Sequence, residues 1–290
     1  MRQSTLKAPI SFSGLGLHSG DECRIVVRPA EEYVGISFKC HKAGAVSVIA
    51  AAPENVGCAF HGTALVNSSG ASVATVEHLM AALAICAIDN TVIDVFGPEI
   101  PILDGSSAPF VNEIKAVGIE RQGAERHEII IDQPVSIKDG DRSILIEPAD
   151  GFRLDTTIDF EDCLIGRQSL SVALDNSAML ERMAKSRTFC RLYEVQGLRA
   201  MDLIRGGSLD NSIVVDGDKI LNGDDLRDPY EFVLHKALDL VGDFYLLGAP
   251  IRGVITAFKP GHDLNTRAAL AISELQRRQN QTPSRLAATA

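Results

Sequence analysis

Short stretches of alternating hydrophobic and polar residues fill the first hundred positions, and one continuous apolar run interrupts them. The β-branched segments "ECRIVVRP", "GISFKC", "GTALV" and "NTVIDVFG" are bounded by Gly, Pro or Asn, which predicts short strands. The apolar run "ATVEHLMAALAIC" predicts a helix over about 75–87, and a second helix is predicted over about 107–118. Mixed strands and helices of this kind are typical of an α+β unit.

The pattern starts again after residue 125. The segment "GIERQGAERHE" has neither helical nor strand periodicity and predicts an interdomain linker. Beyond it, "EIIIDQPVSI", "RSILIEP", "RLDTTIDF" and "IRGVITAF" predict strands. Helices are predicted in three segments, over about 175–184, 229–247 and 263–277. The sequence therefore predicts two α+β domains, residues 1–125 and 126–290, with helices on one face of each sheet.

Composition narrows the possible functions. The formal net charge is −10 and the isoelectric point is near 5.2, which argues against nucleic acid or an anionic membrane as a partner. No run approaches the ~20 apolar residues of a membrane span, and the N-terminus lacks the apolar core of a signal peptide. The six cysteines include no C-x-x-C pair, so we expect free thiols in a reducing compartment. A cytoplasmic protein is predicted.

The helix over 229–247 is apolar around most of its circumference and carries one narrow polar stripe. At roughly 100° per residue, Lys236, Asp239 and Asp243 all fall within about 100° of His235. His235 and Asp239, four residues apart, can converge on one point, as two metal ligands on a helix do. Two interpretations are open for this stripe alone: a metal site, or a hydrogen-bonded His–Asp pair on a partly exposed face.

The helix over 75–87 places two adjacent ionisable groups, Glu77 and His78, among apolar residues. Burying such groups without a partner costs several kcal/mol. His78 together with His235 and Asp239 would make a three-ligand zinc set with a fourth position open to water. Glu77 points roughly 100° away from His78 and would face that water as a general base, although the H-E-x-x-H motif is absent.

Six motifs in this chain resemble, in order, those of a known enzyme family. They are "TVEHLMAAL", "ILDGSSAPF", "KSRTFC", "RGGSLDNSIVVD", "EFVLHKALDLVGDFYLLG" and "FKPGHDLN". The family is the zinc-dependent UDP-3-O-acyl-N-acetylglucosamine deacetylases of Gram-negative lipid A biosynthesis, and the resemblance covers about residues 3–275. It implies an α+β fold of two similar α/β-sandwich domains, with helices packed between two outer β-sheets. It also implies an inserted β-α-β element at about 190–221 and an active site at the domain interface.

The resemblance assigns roles to individual residues. It implies the zinc ligands His78, His235 and Asp239, the general base Glu77, the general acid His262, the oxyanion stabilisers Thr188 and Lys236, and Asp243 as the residue that orients and charges His262. It implies substrate contacts by Phe189 near the sugar, Arg142 and Lys259 near the nucleotide phosphates, and Asp159 and Phe160 near uracil. One catalytic Zn²⁺ is expected, and Fe²⁺ also suits this ligand set.

The inserted element would form a passage for the acyl chain. Leu192, Val195, Leu198 and Met201 are candidate lining residues, and they are equally well explained as the apolar side of a small helix. Two positions depart from the family pattern. Arg142 stands where Lys is more common, which preserves phosphate binding, and Cys190 stands where Gly is expected, which bears on chain-length preference.

The function predicted from the resemblance is zinc-dependent hydrolysis of the N-acetyl group of UDP-3-O-(3-hydroxyacyl)-N-acetylglucosamine, giving acetate and the free amine. A monomer is expected, with the UDP-linked acylated amino sugar and water as its partners and no nucleic acid. The alternatives are another zinc-dependent carbohydrate amidase and a non-catalytic metal-binding α+β protein. The "DGSS" segment at 104–107 is most simply a turn followed by a helix cap.

Overall fold

The computed structural model describes residues 1–58, 61–173, 176–223 and 225–281 of the 290-residue chain. These residues form an α+β fold, as predicted. The helices are Glu77–Ile85 (α1), Ala108–Val117 (α2), Ser177–Lys185 (α3), Leu192–Ala200 (α4), Glu231–Tyr245 (α5) and His262–Gln281 (α6). The helix predicted from residue 175 begins in the structure at Ser177, and residue 175 itself lies outside the described part. None of the described helices is both long and apolar enough to cross a bilayer.

The first half of the chain builds a five-stranded sheet. The strands of this half are Arg2–Leu6 (β1), Ile10–Leu15 (β2), Glu22–Pro29 (β3), Ile36–Lys42 (β4), Ala45–Ala50 (β5), Val56–Cys58 (β6), Ala64–Val66 (β7), Ser72–Val73 (β8), Thr91–Phe96 (β9) and Ile119–Glu125 (β10). The sheet order is β2-β3-β9-β4-β5, in which β4 and β9 are parallel and the other neighbours antiparallel. Strands β6, β7 and β8 form a separate small sheet.

The second half repeats this plan. Its strands are Ile129–Ile130 (β11), Val135–Asp139 (β12), Arg142–Glu147 (β13), Phe152–Phe160 (β14), Gly166–Ala173 (β15), Phe189–Arg191 (β16), Ile213–Asp216 (β17), Lys219–Ile220 (β18) and Ile251–Phe258 (β19). Five strands of the main sheet have the order β12-β13-β19-β14-β15, in which β14 and β19 are parallel, and the short strand β11 also pairs parallel with β19. Each strand in this order corresponds to the strand at the same position of the first sheet. The two halves therefore share one strand order, which cannot be read from their sequences.

A smaller unit interrupts the second half where the insertion is expected. Strands β16 and β17 are parallel neighbours, helix α4 connects them, and β18 pairs with β17. This β-α-β unit packs beside the start of α5, because Phe232 and Val233 share an apolar cluster with Ile213 and Val215. The insertion therefore lies next to the helix that carries the polar stripe.

The segment predicted to be a linker is partly a strand. Residues 119–125 form β10, which pairs antiparallel with β1 at the N-terminus. Strand β10 buries only Ala124 and leaves its other side chains partly or fully exposed, so its sequence carries no alternating pattern. The prediction of a linker was wrong for these residues, whereas the domain boundary near 125 stays a prediction.

Helices α1 and α5 lie between the two main sheets. Helix α1 contributes Leu79, Met80 and Leu83 to the core under the first sheet, and α5 contributes Leu234 and other residues to the core under the second. The two helices touch at backbone distance: a Cβ atom at Gly242 would lie 2.1 Å from the carbonyl oxygen of Glu77. This close approach brings the polar residues of α1 and α5 to one place.

Candidate metal centre and active site

The three predicted metal ligands converge in the structure. His78 lies in the first turn of α1, whereas His235 and Asp239 lie one turn apart on α5. One ligand atom from each residue can be chosen so that all lie within 4.8 Å of one another. Nε2 of His78 and Nε2 of His235 are 3.8 and 3.4 Å from Oδ1 of Asp239, and all three side chains are buried.

The hydrogen bonding of this trio leaves ligand atoms available for a cation. Oδ1 of Asp239 is buried and has no hydrogen-bond partner among the described residues, a costly arrangement for a carboxylate oxygen. Nδ1 of His235 is 3.1 Å from the carbonyl oxygen of Ser186, which assigns the proton to Nδ1 and leaves Nε2 free as a ligand. Two imidazoles and one carboxylate are a donor set of catalytic zinc sites.

The charge states of these groups also suit a metal ion. Burial and the neighbouring His235 lower the pKa of His78 to about 3, so its imidazole is neutral and free to coordinate. Burial alone would raise the pKa of Asp239, but Lys236 and the imidazoles outweigh it and hold that pKa below its ordinary value. The carboxylate is therefore ionised, as a ligand must be.

Glu77 stands beside the trio with a strongly altered acidity. Its Oε2 accepts a hydrogen bond of 3.0 Å from the backbone N–H of Thr63, and its Oε1 is 4.0 Å from Nε2 of His262. Burial raises the pKa of Glu77 to about 7. A carboxylate with this acidity exchanges protons readily near neutral pH, as a general base does.

His262 faces the same point from the first turn of α6. Its Nδ1 is 2.9 Å from Oδ2 of Asp243, and its Nε2 is 3.8 Å from Oδ2 of Asp239. Burial alone would lower the pKa of His262, but the carboxylates of Asp243 and Asp239 raise it to about 9. The imidazole is thus held protonated, which is the state of a general acid.

Asp243 is fixed by two residues that the sequence did not single out. The hydroxyl of Thr63 donates to Oδ1 of Asp243 at 2.6 Å, and Nδ2 of Asn265 donates to Oδ2 at 2.8 Å. Thr63 therefore touches both Glu77 and Asp243, and it joins the base side of the site to the acid side. The only sequence signal for Asn265 was its position three residues after His262 in "GHDLN".

Lys236 and Thr188 lie at the other side of the trio. Nζ of Lys236 is 2.9 Å from Oδ2 of Asp239 and 5.6 Å from the ring centroid of Phe189. The backbone N–H of Thr188 donates to the carbonyl oxygen of Gly105 at 2.8 Å, which ties this residue to the first half of the chain. Both side chains border a cavity of about 450 Å³.

The same cavity extends along the inserted element. Leu192, Val195 and Leu198 line it together with Phe160 and Phe189, whereas Met201 is not among the residues that line it and is 52% exposed. The ring of Phe189 contacts those of Phe160 and His235, with centroids 5.7 and 6.2 Å apart. The structure thus brings five of the seven predicted sugar, uracil and acyl contacts into the wall of one cavity, and Asp159 and Met201 are the two that do not line it.

The predicted phosphate contacts are paired with carboxylates in this structure. Arg142 binds Asp263 and Asp139, and Nζ of Lys259 is 2.7 Å from Asp141 and 3.7 Å from Asp159. Arg142 pairs with Asp263, the residue after His262, and Lys259 lies three residues before His262. Both cations therefore lie near the proposed general acid. A phosphate group of the substrate would have to displace these carboxylates from Arg142 and Lys259.

Comparison with known proteins decides the family. The family model for LpxC, UDP-3-O-acyl N-acetylglycosamine deacetylase, matches residues 3–274. The chain is 44% identical over 274 residues to the UDP-3-O-acyl-N-acetylglucosamine deacetylase of Phenylobacterium zucineum, which covers 94% of either protein. It is 46% identical to the enzyme of the same name from Nitratidesulfovibrio vulgaris, over 91% of this chain and 85% of the relative. The chain belongs to this family.

Membership in the deacetylase family makes the chain an enzyme and confirms the predicted resemblance. A third relative, the deacetylase of Aliivibrio fischeri, is 43% identical over 94% of this chain and 92% of its own length. The family is one of metalloenzymes, in agreement with the buried His–His–Asp trio. The alternative of a non-catalytic metal-binding protein is therefore wrong.

Proposed function

We propose that this deacetylase removes the N-acetyl group of UDP-3-O-(3-hydroxyacyl)-N-acetylglucosamine, the committed step of lipid A biosynthesis, with one zinc ion held by His78, His235 and Asp239. The observation that carries the proposal is the convergence of this buried trio with Glu77 and His262. A base with a pKa of about 7 and an acid with a pKa of about 9 face each other across 4.0 Å beside the trio. Amide hydrolysis needs that pair.

Each protein group has a defined task in the hydrolysis. The trio would hold a zinc ion, which would supply a Lewis acid and would lower the pKa of a water molecule at the open position from ~15.7 towards ~7. Glu77 accepts a proton from the attacking water through a carboxylate oxygen. His262, kept protonated by Asp243, donates a proton from Nε2 to the leaving amine nitrogen, because an unprotonated amine leaves poorly. Acetate and the free amine are the products.

Charge that develops on the acetamide oxygen needs donors aimed at it. Lys236 and Thr188 are proposed for this task, since both border the cavity next to the trio. The ammonium group of Lys236 already lies against Asp239, so it is held at the edge of the ligand set without any need for a large movement. The bond from the N–H of Thr188 to the carbonyl oxygen of Gly105 holds the backbone of Thr188 beside this cavity.

The remaining surface provides places for the rest of the substrate. Phe189 and Phe160 would pack against the sugar and the base, and Leu192, Val195 and Leu198 would line the acyl passage. Arg142 and Lys259 would bind the diphosphate, and Asp159 would contact uracil. We further propose a cytoplasmic monomer, with Fe²⁺ able to replace Zn²⁺ in the same ligand set.

Deacetylation of the UDP-linked substrate, measured with and without a chelator, tests the proposal. We expect activity to disappear on chelation and to return with added zinc. Glu77→Gln keeps the shape of the side chain and removes its basicity, so kcat should fall by about 10²–10⁴ while zinc content stays at one per chain. His78→Ala should lose both zinc and activity.

Two results would contradict specific parts of the proposal. A Glu77→Gln variant that works at nearly the wild-type rate would remove Glu77 as the base, and full zinc content in His78→Ala would remove it from the ligand set. Faster hydrolysis of an N-acetylglucosamine derivative without the UDP group would favour the alternative of another carbohydrate amidase.

A further inference from the structure

The "DGSS" turn at residues 104–107 caps helix α2 through Ser106, whose hydroxyl accepts the N–H of Ala108 at 3.2 Å, and uses Ser107 differently. Ser107 occupies the N-cap position of α2, and its side chain makes no capping bond. Its hydroxyl instead donates to the carbonyl oxygen of His78 at 2.7 Å, and Ser107 is fully buried. The turn therefore contacts the first turn of α1 at the residue that supplies the metal ligand.

The same turn contacts the opposite side of the site through its backbone. The carbonyl oxygen of Gly105 accepts the N–H of Thr188 at 2.8 Å. Gly105 has φ of +79°, and a Cβ atom there would lie 1.9 Å from the carbonyl oxygen of Asn211. Glycine is therefore required at this position both for its backbone conformation and for the close approach.

The turn is itself rigidly held. The hydroxyl of Ser106 donates to Oδ1 of Asp104 at 2.8 Å, and Oδ2 of Asp104 is 2.9 Å from Nη1 of Arg227 in the second half of the chain. Asp104 thus fixes the turn internally and anchors it across the two halves. A small displacement of the turn would move its contacts to His78 and Thr188 together.

We propose that residues 104–107 position the two sides of the active site relative to each other, with Ser107 holding the metal ligand His78 and Gly105 holding Thr188. This inference rests on the proposed function. Neither residue touches the reacting atoms, so both are positioning residues. Catalytic groups have to stay within about 0.5 Å of the productive geometry, and partners that orient a metal ligand are worth 10–100-fold in metal affinity or activity.

A matched pair of serine substitutions tests the contact with His78. Ser107 and Ser4 are both fully buried, and the hydroxyl of each donates one hydrogen bond to a backbone carbonyl oxygen, that of His78 for Ser107 and that of Ala87 for Ser4. In Ser107→Ala we expect zinc affinity, measured by competition with a chelating dye, to fall about tenfold and kcat to fall with it. Ser4→Ala, which lies outside the 104–107 turn, should keep zinc affinity within twofold of the wild type.

A matched pair of glycine substitutions tests the contact with Thr188. Gly105→Ala should lower kcat at least tenfold and weaken zinc binding as well, because a displaced turn moves its contacts to Thr188 and His78 together, whereas KM should stay within about twofold. Gly70→Ala is the control, since Gly70 has φ of +81° and no neighbour within 4 Å of its Cβ position. It carries the same backbone strain without the collision.

The outcomes separate this inference from the proposed function. Wild-type zinc affinity in Ser107→Ala would overturn the inference while leaving the zinc mechanism intact. If Gly105→Ala does not fold, as judged by circular dichroism, the two serine variants decide alone. Wild-type protein that neither binds zinc nor deacetylates the substrate would instead refute the proposed function, before any variant is made.

Discussion

At the scale of single residues, the site depends on opposite shifts in acidity that come from different causes. Glu77 owes its pKa of about 7 to burial, which disfavours the charged carboxylate. His262 is buried as well, yet its pKa rises to about 9 because Asp243 and Asp239 stabilise the imidazolium. Between these values the base is deprotonated and the acid protonated, which is the combination that hydrolysis requires.

The pH dependence of kcat/KM tests these assignments. We expect the rate to fall below about pH 7, where Glu77 gains a proton, and above about pH 9, where His262 loses one. Asp243→Asn removes a negative charge that favours the imidazolium, so the pKa of His262 should fall and the alkaline limb should move to lower pH by about 1 pH unit or more. An alkaline limb at its original pH in a zinc-loaded Asp243→Asn variant would show that another group is the acid.

At the scale of elements, the crossing of α1 and α5 sets the distance between the ligands. Gly242 lies within an otherwise well-formed helix, where glycine costs about 1 kcal/mol relative to alanine. The structure explains its presence, because the Cβ position is 2.1 Å from the carbonyl oxygen of Glu77 and 3.2 Å from the backbone nitrogen of Ala81. The helices can touch here because no side chain separates them.

Gly242→Ala should therefore disturb the arrangement of the proposed ligands, although Gly242 is not itself a residue of the site. The added methyl group would push α1 away from α5 and separate His78 from Asp239, at an overpacking cost of about 1–3 kcal/mol in the free energy of unfolding. We expect zinc affinity and kcat both to fall at least tenfold. Gly197→Ala in α4 is the control, since no atom lies within 4 Å of its Cβ position; equal loss of zinc affinity in both variants would contradict the explanation.

At the scale of the whole molecule, the proposed metal ligands come from two halves with the same strand order. His78 belongs to the first half, and His235 and Asp239 belong to the second. Near the C-terminal ends of α1 and α5, Tyr245 joins the halves again by donating to the carbonyl oxygen of Ile88 at 2.9 Å. Each half also has its own apolar core. The fold should therefore form without the metal, and the metal should add stability by bridging the halves.

Removal of the metal should lower the melting temperature without loss of secondary structure. An ion at 100 times its Kd stabilises the folded state by about 2.7 kcal/mol, which corresponds to roughly 4–5 °C for a chain of this size. Far-ultraviolet circular dichroism during a thermal scan, with chelator and then with added zinc, measures the effect. His78→Ala serves as the control and should not respond to zinc. Collapse of the spectrum on chelation would show that folding itself needs the ion.

Much of the site could be predicted from the sequence because part of it is local. The four-residue spacing of His235 and Asp239 places them on one face of any helix, and the apolar run around His78 marks a buried helix. Other contacts could not be predicted in this way. Thr63 is 180 residues from Asp243, and neither residue's surroundings in sequence indicate the bond between them. The two-stranded sheet β1–β10 was missed because most side chains of β10 are exposed, so its sequence shows little alternation of hydrophobic and polar residues.

The sequence by itself predicted five of the six described helices, nine of the nineteen described strands, the family and the chemical types of the proposed catalytic groups. These follow from periodicity, spacing and motifs, which are properties of neighbouring residues. Only the tertiary structure decided that the halves share one topology, that Gly242 allows α1 to touch α5, and that the 104–107 turn contacts both His78 and Thr188. Such contacts join residues far apart in the chain, so they depend on how whole surfaces pack and on no local preference.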